Sequence, residues 1–418
     1  MSASFCGLDF GTSNSTVGIV SGNGFALCPL EGEQVTLPSS IFFDYEEHRA
    51  RFGRDGTAAY IDGTEGRLLR ALKSVLGSSL IEETTQVNRR QVPVRDIIGL
   101  FLRHLKHCAE ARLGREIDQV VLGRPVRFVD HDDEADRRAE AELVAIARAQ
   151  GFRHIELQFE PVAAALDYEQ AVTREELALI VDLGGGTSDF AVTRLSPAHA
   201  RQADRGTDIL GRAGVHIGGT DFDRRLSLAH AMPELGLNVL IGPKKLPMPI
   251  RLYQDLATWH RIPSLYTASN MNYLRSIRPQ ADRPDLIDRL MELLRERNGH
   301  RLASAVEAGK IALSAREEAA IDLPFHQPLP VTVTRADLEA ALAPDIAAII
   351  RGIDECLALA GIGGEAIQSV FLTGGSTAIP AIRRRILAHL PGARPVEGDI
   401  FGSVGLGLAI DAARRFGR

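Results

Sequence analysis

Residues 182–189 read Asp182-Leu183-Gly184-Gly185-Gly186-Thr187-Ser188-Asp189, set between an apolar run at 177–181 and a second one at 190–195. The first run, Leu177-Ala178-Leu179-Ile180-Val181, has the length and apolar continuity of a buried strand, and 190–195 reads as the strand returning beside it. Three successive glycines between strands cost backbone entropy. Close approach of an anion to the turn's N–H groups explains that cost better than a turn that merely needs positive φ. Thr187 adds a hydroxyl donor. Asp182, at the strand's end, cannot touch a phosphate directly, because like charges repel. A hard cation held through water, Mg²⁺, removes the conflict. Asp189 is placed to hold a cation or polarise a water.

The N-terminus repeats the device. Residues 5–9 (Phe-Cys-Gly-Leu-Asp) read as a strand, Gly11-Thr12-Ser13-Asn14 as a turn, 17–20 as a second strand, Gly22-Asn23-Gly24 as a hairpin signal and 25–27 as a third strand. Asp9 repeats the Mg²⁺ role, and Gly11, Thr12, Ser13 and Asn14 form a second phosphate turn or, taken alone, an ordinary hairpin. The duplication predicts an α/β protein of two similar lobes facing one another.

Outward from these turns, periodicity predicts helices at 100–111, 133–150 and 163–170 and strands at 119–123 and 155–159. Residues 206–323 read as mostly helical, with a Pro-rich insert at 242–249 and amphipathic helices at 285–298 and 302–314. A helix at 337–359 interrupted at Pro344, a strand at 369–373, a helix at 379–390, a loop at 391–399 and a helix at 404–416 close the chain.

Several polar residues stand at telling places. Gly218 and Gly219, with Thr220, Asp221 and Asp223, head a helix and serve as cap or as nucleotide wall. Gly374-Gly375-Ser376 follows an apolar strand and opens a helix, the outline of an anion or nucleoside site. Glu307, Lys310 and Ser314 share one helix face, where spacing alone favours a solvated surface. Glu160 ends a strand before Pro161 and is a candidate for positioning water. Lys73, in an apolar segment, is within the class of residues that reach a γ-phosphate. From the residues alone, an ordinary surface charge is the favoured reading for both.

Composition narrows the function. The 418 residues are 45% apolar and 24% charged with net charge −6, which suits two or three soluble domain-sized units. No long basic run is present, and Arg383, Arg384 and Arg385 read as a solvated helix face, so nucleic acid is not an expected partner. Four scattered cysteines form no C-x-x-C pair. With no long apolar run and no basic leader, neither a membrane span nor a signal peptide is expected, and the expected location is cytoplasmic.

Taken in order, LDFGTSNS, EPVAAALDY, VDLGGGTSDF, IGGTDFD and TGGSTAIP resemble the ATPase domain of DnaK-type heat-shock chaperones, within the actin and hexokinase superfamily. The resemblance runs from about Phe5 to Ala412. It implies an actin-like ATPase fold whose lobe I spans 1–170, with the 400–418 helix packing back on it. Lobe II spans 171–399 and includes a helical subdomain at about 206–323. It implies ATP or ADP with Mg²⁺ in the cleft, and a protein partner. Asp9 and Asp182 match the metal-organising aspartates. Thr12, Ser13 and the 184–187 turn match the phosphate loops, and Lys73, Glu160, Thr187 and Asp189 the catalytic centre. Glu307, Lys310 and Ser314 match the adenosine-contacting helix, replacing the solvated-face reading. Gly374, Gly375, Ser376 and Asp399 match the remaining adenosine wall.

Departures from the pattern matter too. Ile311 and Ala378 stand where the family places arginines against adenine, which removes stacking of about 1 kcal/mol each. The 77–100 segment is short. The 243–259 segment is similar to the YegD-like branch. The sequence ends at Arg418, so no peptide-binding domain is expected within it. Three functions fit this pattern: an ATP hydrolase, a nucleotide sensor that does not hydrolyse, and a small-molecule kinase whose acceptor aspartate is not identifiable.

Overall fold

The computed structural model describes residues 5–22, 24–88, 90–130, 132–201 and 206–417. Asn23 of the expected hairpin lies outside them. The chain divides into two compact units, one of Met1–Gly219, Ala348–Thr377 and Ile382–Arg418, the other of Thr220–Ala347 and Ala378–Ala381.

The first unit holds two sheets of one topology. In the first, the strands Phe5–Phe10, Asn14–Ser21 and Gly24–Leu27 form an antiparallel meander. On its other side Phe5–Phe10 pairs in parallel with Gln119–Arg124, which pairs in parallel with His154–Phe159. The second sheet repeats this with Glu176–Leu183, Ser188–Leu195 and Ile209–Val215 as the meander, and Ser369–Thr373 and Arg394–Glu397 as the parallel strands. In each, the meander turn follows an aspartate near the first strand's end: Asp9 lies opposite Thr16, and Asp182 opposite Asp189. This duplicated α/β arrangement is the actin-like fold the sequence predicts.

Alternation explains why these strands stay buried. Cys6, Leu8 and Phe10 face a core shared with Ile97, Phe101 and Leu143 of the helices Val94–Leu113 and Asp133–Ala149. Phe5 points the other way, into a second core. That core also takes Val121 of the first sheet, Ala178, Ile180 and Ala191 of the second, and the helices Glu160–Glu169 and Ser403–Phe416. Small residues make this packing close. A Cβ on Gly407 would lie 1.7 Å from the Ala163 carbonyl oxygen, and one on Gly7 would lie 2.3 Å from the Ala409 nitrogen.

The second unit carries the helices Ile250–Leu256, Ala268–Ile277, Pro284–Arg295 and Gly299–Ala315 and the hairpin Glu318–Leu323 with Leu329–Thr334.

Five local expectations are corrected. Residues 209–215 and 318–323, inside the stretch read as mostly helical, are strands whose pairing partners are distant in sequence or cross a hairpin. Arg394–Glu397, read as loop, is the outer parallel strand of the second sheet. The Arg335–Ala360 helix runs through Pro344, since tertiary packing outweighs one missing N–H bond. Glu160 is not the last residue of a strand but the first of a helix, because proline in a first turn forfeits only an N–H that would have had no helical partner.

No helix among the described residues is long and apolar enough to cross a membrane.

Candidate functional site

The two Asp-bearing turns meet. A Cβ on Gly185 would lie 2.0 Å from Ser13 Oγ, and one on Gly186 would lie 2.9 Å from Thr12 Oγ1. Only glycine allows this approach, so the cost of the triple glycine has a tertiary cause. The 184–187 turn is closed by the Gly184 N–H donating to the Thr187 carbonyl at 2.9 Å.

Two further elements seat on the same turn. Gly219 N–H donates to the Gly184 carbonyl at 3.0 Å, and a Cβ on Gly218 would lie 2.5 Å from the Gly186 nitrogen. Ser376 Oγ donates to the Gly184 carbonyl at 3.2 Å. Gly374, at φ +82°, passes so near that a Cβ would lie 2.4 Å from the Leu183 carbonyl oxygen and 2.7 Å from Asp182 Oδ1.

Beside the turns lies a buried charged cluster. Lys73 sits in the short 3-10 turn Leu72–Val75, entered through Ala71 at φ +55°, a left-handed conformation rare for a residue with a Cβ. Its Nζ is ion-paired to Glu160 Oε1. Glu160, in the first turn of its helix, is well placed against the helix dipole. Gly123 leaves room between the carboxylates: a Cβ there would lie 3.3 Å from Glu160 Cγ and 3.6 Å from Asp9 Oδ1. Asp189 Oδ1 accepts the Val126 N–H at 2.6 Å.

The electrostatics follow from four carboxylates around one ammonium. Burial, then repulsion from Glu160, pushes Asp9 up to about 7 against the pull of Lys73. Burial and Glu160 also push Asp189 up to about 7, opposed by hydrogen bonds from Thr187 and Val126. Asp182 is raised well above the usual carboxylate range, by burial first and then by Glu160, Asp189 and Asp9. Burial alone would lower Lys73, but Glu160, Asp9 and Asp189 outweigh it and hold the ammonium above its ordinary value.

This surplus of negative oxygen donors suits a hard divalent cation. Among the described residues no three His, Cys, Asp or Glu side chains converge at direct-ligand spacing.

Asp399 is exposed. Its carboxylate accepts the Phe401 N–H at 3.1 Å, and its carbonyl accepts from Gly402 and Ser403, so it closes the turn that leads into the final helix. The segment still neighbours the Gly374 turn, since the Gly374 N–H donates to the Ile400 carbonyl at 2.9 Å. Glu307, Lys310 and Ser314 lie on the Gly299–Ala315 helix of the second unit, where Lys310 pairs with Asp223 at 2.8 Å. The Val126 amide escaped sequence reading, because any backbone N–H looks alike until a carboxylate is folded against it.

The family model described as Hsp70 protein matches residues 82–242 and 288–412. The chain is 27% identical over 426 residues to the chaperone protein DnaK of Mycoplasmopsis agalactiae, covering 97% of this chain and 58% of that protein. It is 28% identical over 423 residues to the chaperone protein DnaK of Thermotoga petrophila and to that of a Thermotoga species, covering 97% of this chain and 59% of each. The chain thus spans less than three-fifths of the length of these curated relatives.

Proposed function

The chain belongs to the Hsp70 protein family, and from that premise we propose that it binds ATP and ADP at its paired Asp-Gly turns and hydrolyses ATP with Mg²⁺. The observation that carries this reading is the packing of Thr12 and Ser13 onto Gly186 and Gly185 beside the buried Lys73–Glu160 pair. Turn N–H groups with the Thr12, Ser13 and Thr187 hydroxyls cradle the phosphates. The Lys73 ammonium stabilises charge on the transferred phosphoryl group, and Glu160 and Asp189 orient the attacking water. Mg²⁺, when bound, neutralises phosphate charge, and Asp9 and Asp182 would hold it through its water shell.

Gly218, Gly219, Gly374, Gly375 and Ser376 line the nucleotide in this reading. Glu307, Lys310, Ser314 and Asp399 belong to it on the sequence pattern. The division into lobes at 1–170 and 171–399 is part of the same proposal and is supported by the shared topology of the two sheets. Placement in the YegD-like branch rests on the 243–259 insert. That insert also favours a protein partner: Leu246 and Ile250 are 60% and 55% exposed beside the exposed Lys244 and Lys245. Four free thiols suit a cytoplasmic location.

The deciding experiment is nucleotide binding and single-turnover hydrolysis with Mg²⁺ for the wild type and Lys73→Ala. Hydrolysis that vanishes while binding persists supports the proposal. Equal turnover in both sinks it. One observation favours a second reading, a sensor that binds without turnover: Ile311 is 61% exposed and offers no cation for an adenine ring. Tight binding without turnover in the wild type, with partner affinity that changes on adding ATP, would select it.

A further inference from the structure

Arg124, the last residue of the Gln119–Arg124 strand, is a guanidinium only 7% exposed that the site as described does not use. Its contacts join the segment that follows it to the helix Asp133–Ala149 and to Phe159. Nε donates to the Pro125 carbonyl at 3.0 Å, and Nη2 donates to the Val126 carbonyl at 3.3 Å. Nη2 also pairs with Asp136 Oδ2 at 2.8 Å, and Nη1 pairs with Glu140, both on the Asp133–Ala149 helix. Asp136 completes a loop of contacts by accepting the Phe128 N–H at 2.6 Å. The guanidinium lies 5.1 Å from the centre of the Phe128 ring and 5.0 Å from that of Phe159, the residue before Glu160.

The clamped segment is the one whose Val126 N–H meets Asp189 Oδ1. It crosses to the second sheet a second time, where Asp130 Oδ2 accepts the His216 N–H at 2.9 Å. Gly214 makes room for the first crossing, since a Cβ there would lie 2.9 Å from Asp189 Oδ1 and 3.3 Å from Val126 Cβ.

We propose that Arg124 is a positioning residue: by fixing the carbonyls of Pro125 and Val126 against Asp136 and Glu140, it aims the Val126 N–H at Asp189 and so sets that carboxylate's orientation for water. A five-donor planar fork suits this task, because lysine cannot engage two carbonyls and two carboxylates together. The effect on rate rests on the hydrolytic reading above; the clamp itself does not.

The test compares the wild type with Arg124→Met and with Arg124→Met/Asp136→Asn, in which the charge of one carboxylate partner of the guanidinium is also removed. Hydrogen exchange at the Val126 amide is read alongside single-turnover hydrolysis and ADP affinity. Expected are exchange and turnover changes of about tenfold each, faster and slower respectively, with ADP affinity changed less than about threefold. Arg124→Lys is expected to recover only part of either. Unchanged Val126 exchange in both variants overturns the clamp. Faster exchange with unaltered turnover, or turnover and ADP affinity lost in parallel, overturns the positioning role. A wild type without turnover overturns the hydrolytic reading instead, and Val126 exchange still decides whether Arg124 holds the segment.

Discussion

Lys73 and Glu160, 87 positions apart in sequence, are ion-paired with side chains only 5% and 9% exposed. A buried pair is costly to break from one side, because the remaining charge stays desolvated at a penalty of about 3–5 kcal/mol. Lys73→Ala is therefore expected to melt well below the wild type, and Lys73→Ala/Glu160→Gln to recover most of that loss. Neither is expected to hydrolyse ATP at better than about one-hundredth of the wild-type rate. Thermal melts beside single-turnover assays separate the two effects. Recovery of turnover in the double variant would show that the pair is structural only.

The acid cluster gives the nucleotide-free protein an unusual pH dependence. Unfolded aspartates titrate near 4, whereas Asp9 and Asp189 are held near 7 when folded. Between those values the folded state binds more protons than the unfolded one, so stability falls as pH rises from about 4 to about 7. Below that window the penalty is absent, and above it the penalty is fully present. Asp9→Asn should therefore be more stable than the wild type at pH 8 and nearly equal to it at pH 4.5 in denaturant titrations without nucleotide or Mg²⁺. Equal stability at both pH values would contradict this electrostatic picture.

Gly374→Ala tests the third segment on the 184–187 turn. Its φ of +82° disfavours a side chain, and the new Cβ would press on the Leu183 backbone. A loss of about 1–3 kcal/mol is expected, with nucleotide affinity falling as well. Wild-type melting and affinity would mean that the loop relaxes freely.

Leu408, fully buried, joins the final helix to the core between the sheets. Leu408→Ala should destabilise by about 2–5 kcal/mol in urea or thermal unfolding. A change under 1 kcal/mol would mean that this core collapses around the vacancy.

Much of the site was legible because its parts are local. Glycine runs after apolar strands, with Asp9 and Asp182 at the strand ends, marked out the two turns that the fold packs together. The elements misread were those whose state depends on distant partners. The strand Ile209–Val215 has little local alternation to mark it and is a strand because Ser188–Leu195 pairs with it. Arg394–Glu397, mostly exposed, is one because Ser369–Thr373 lies beside it. Lys73 and Glu160 each read more readily as surface charges, and only the fold pairs them.

The sequence by itself determined the duplicated strand–Asp–turn–strand device, the order of its glycine-bearing motifs and, through them, the family. These follow from short-range dihedral preferences and residue periodicity, which a linear string carries in full. Only the tertiary structure decided that Ser13 rests on Gly185, that Lys73 chooses Glu160 from four carboxylates, and that the Val126 amide turns to Asp189. Burial strengthens each of these contacts by excluding water, and which groups are buried together depends on the packing of the whole chain.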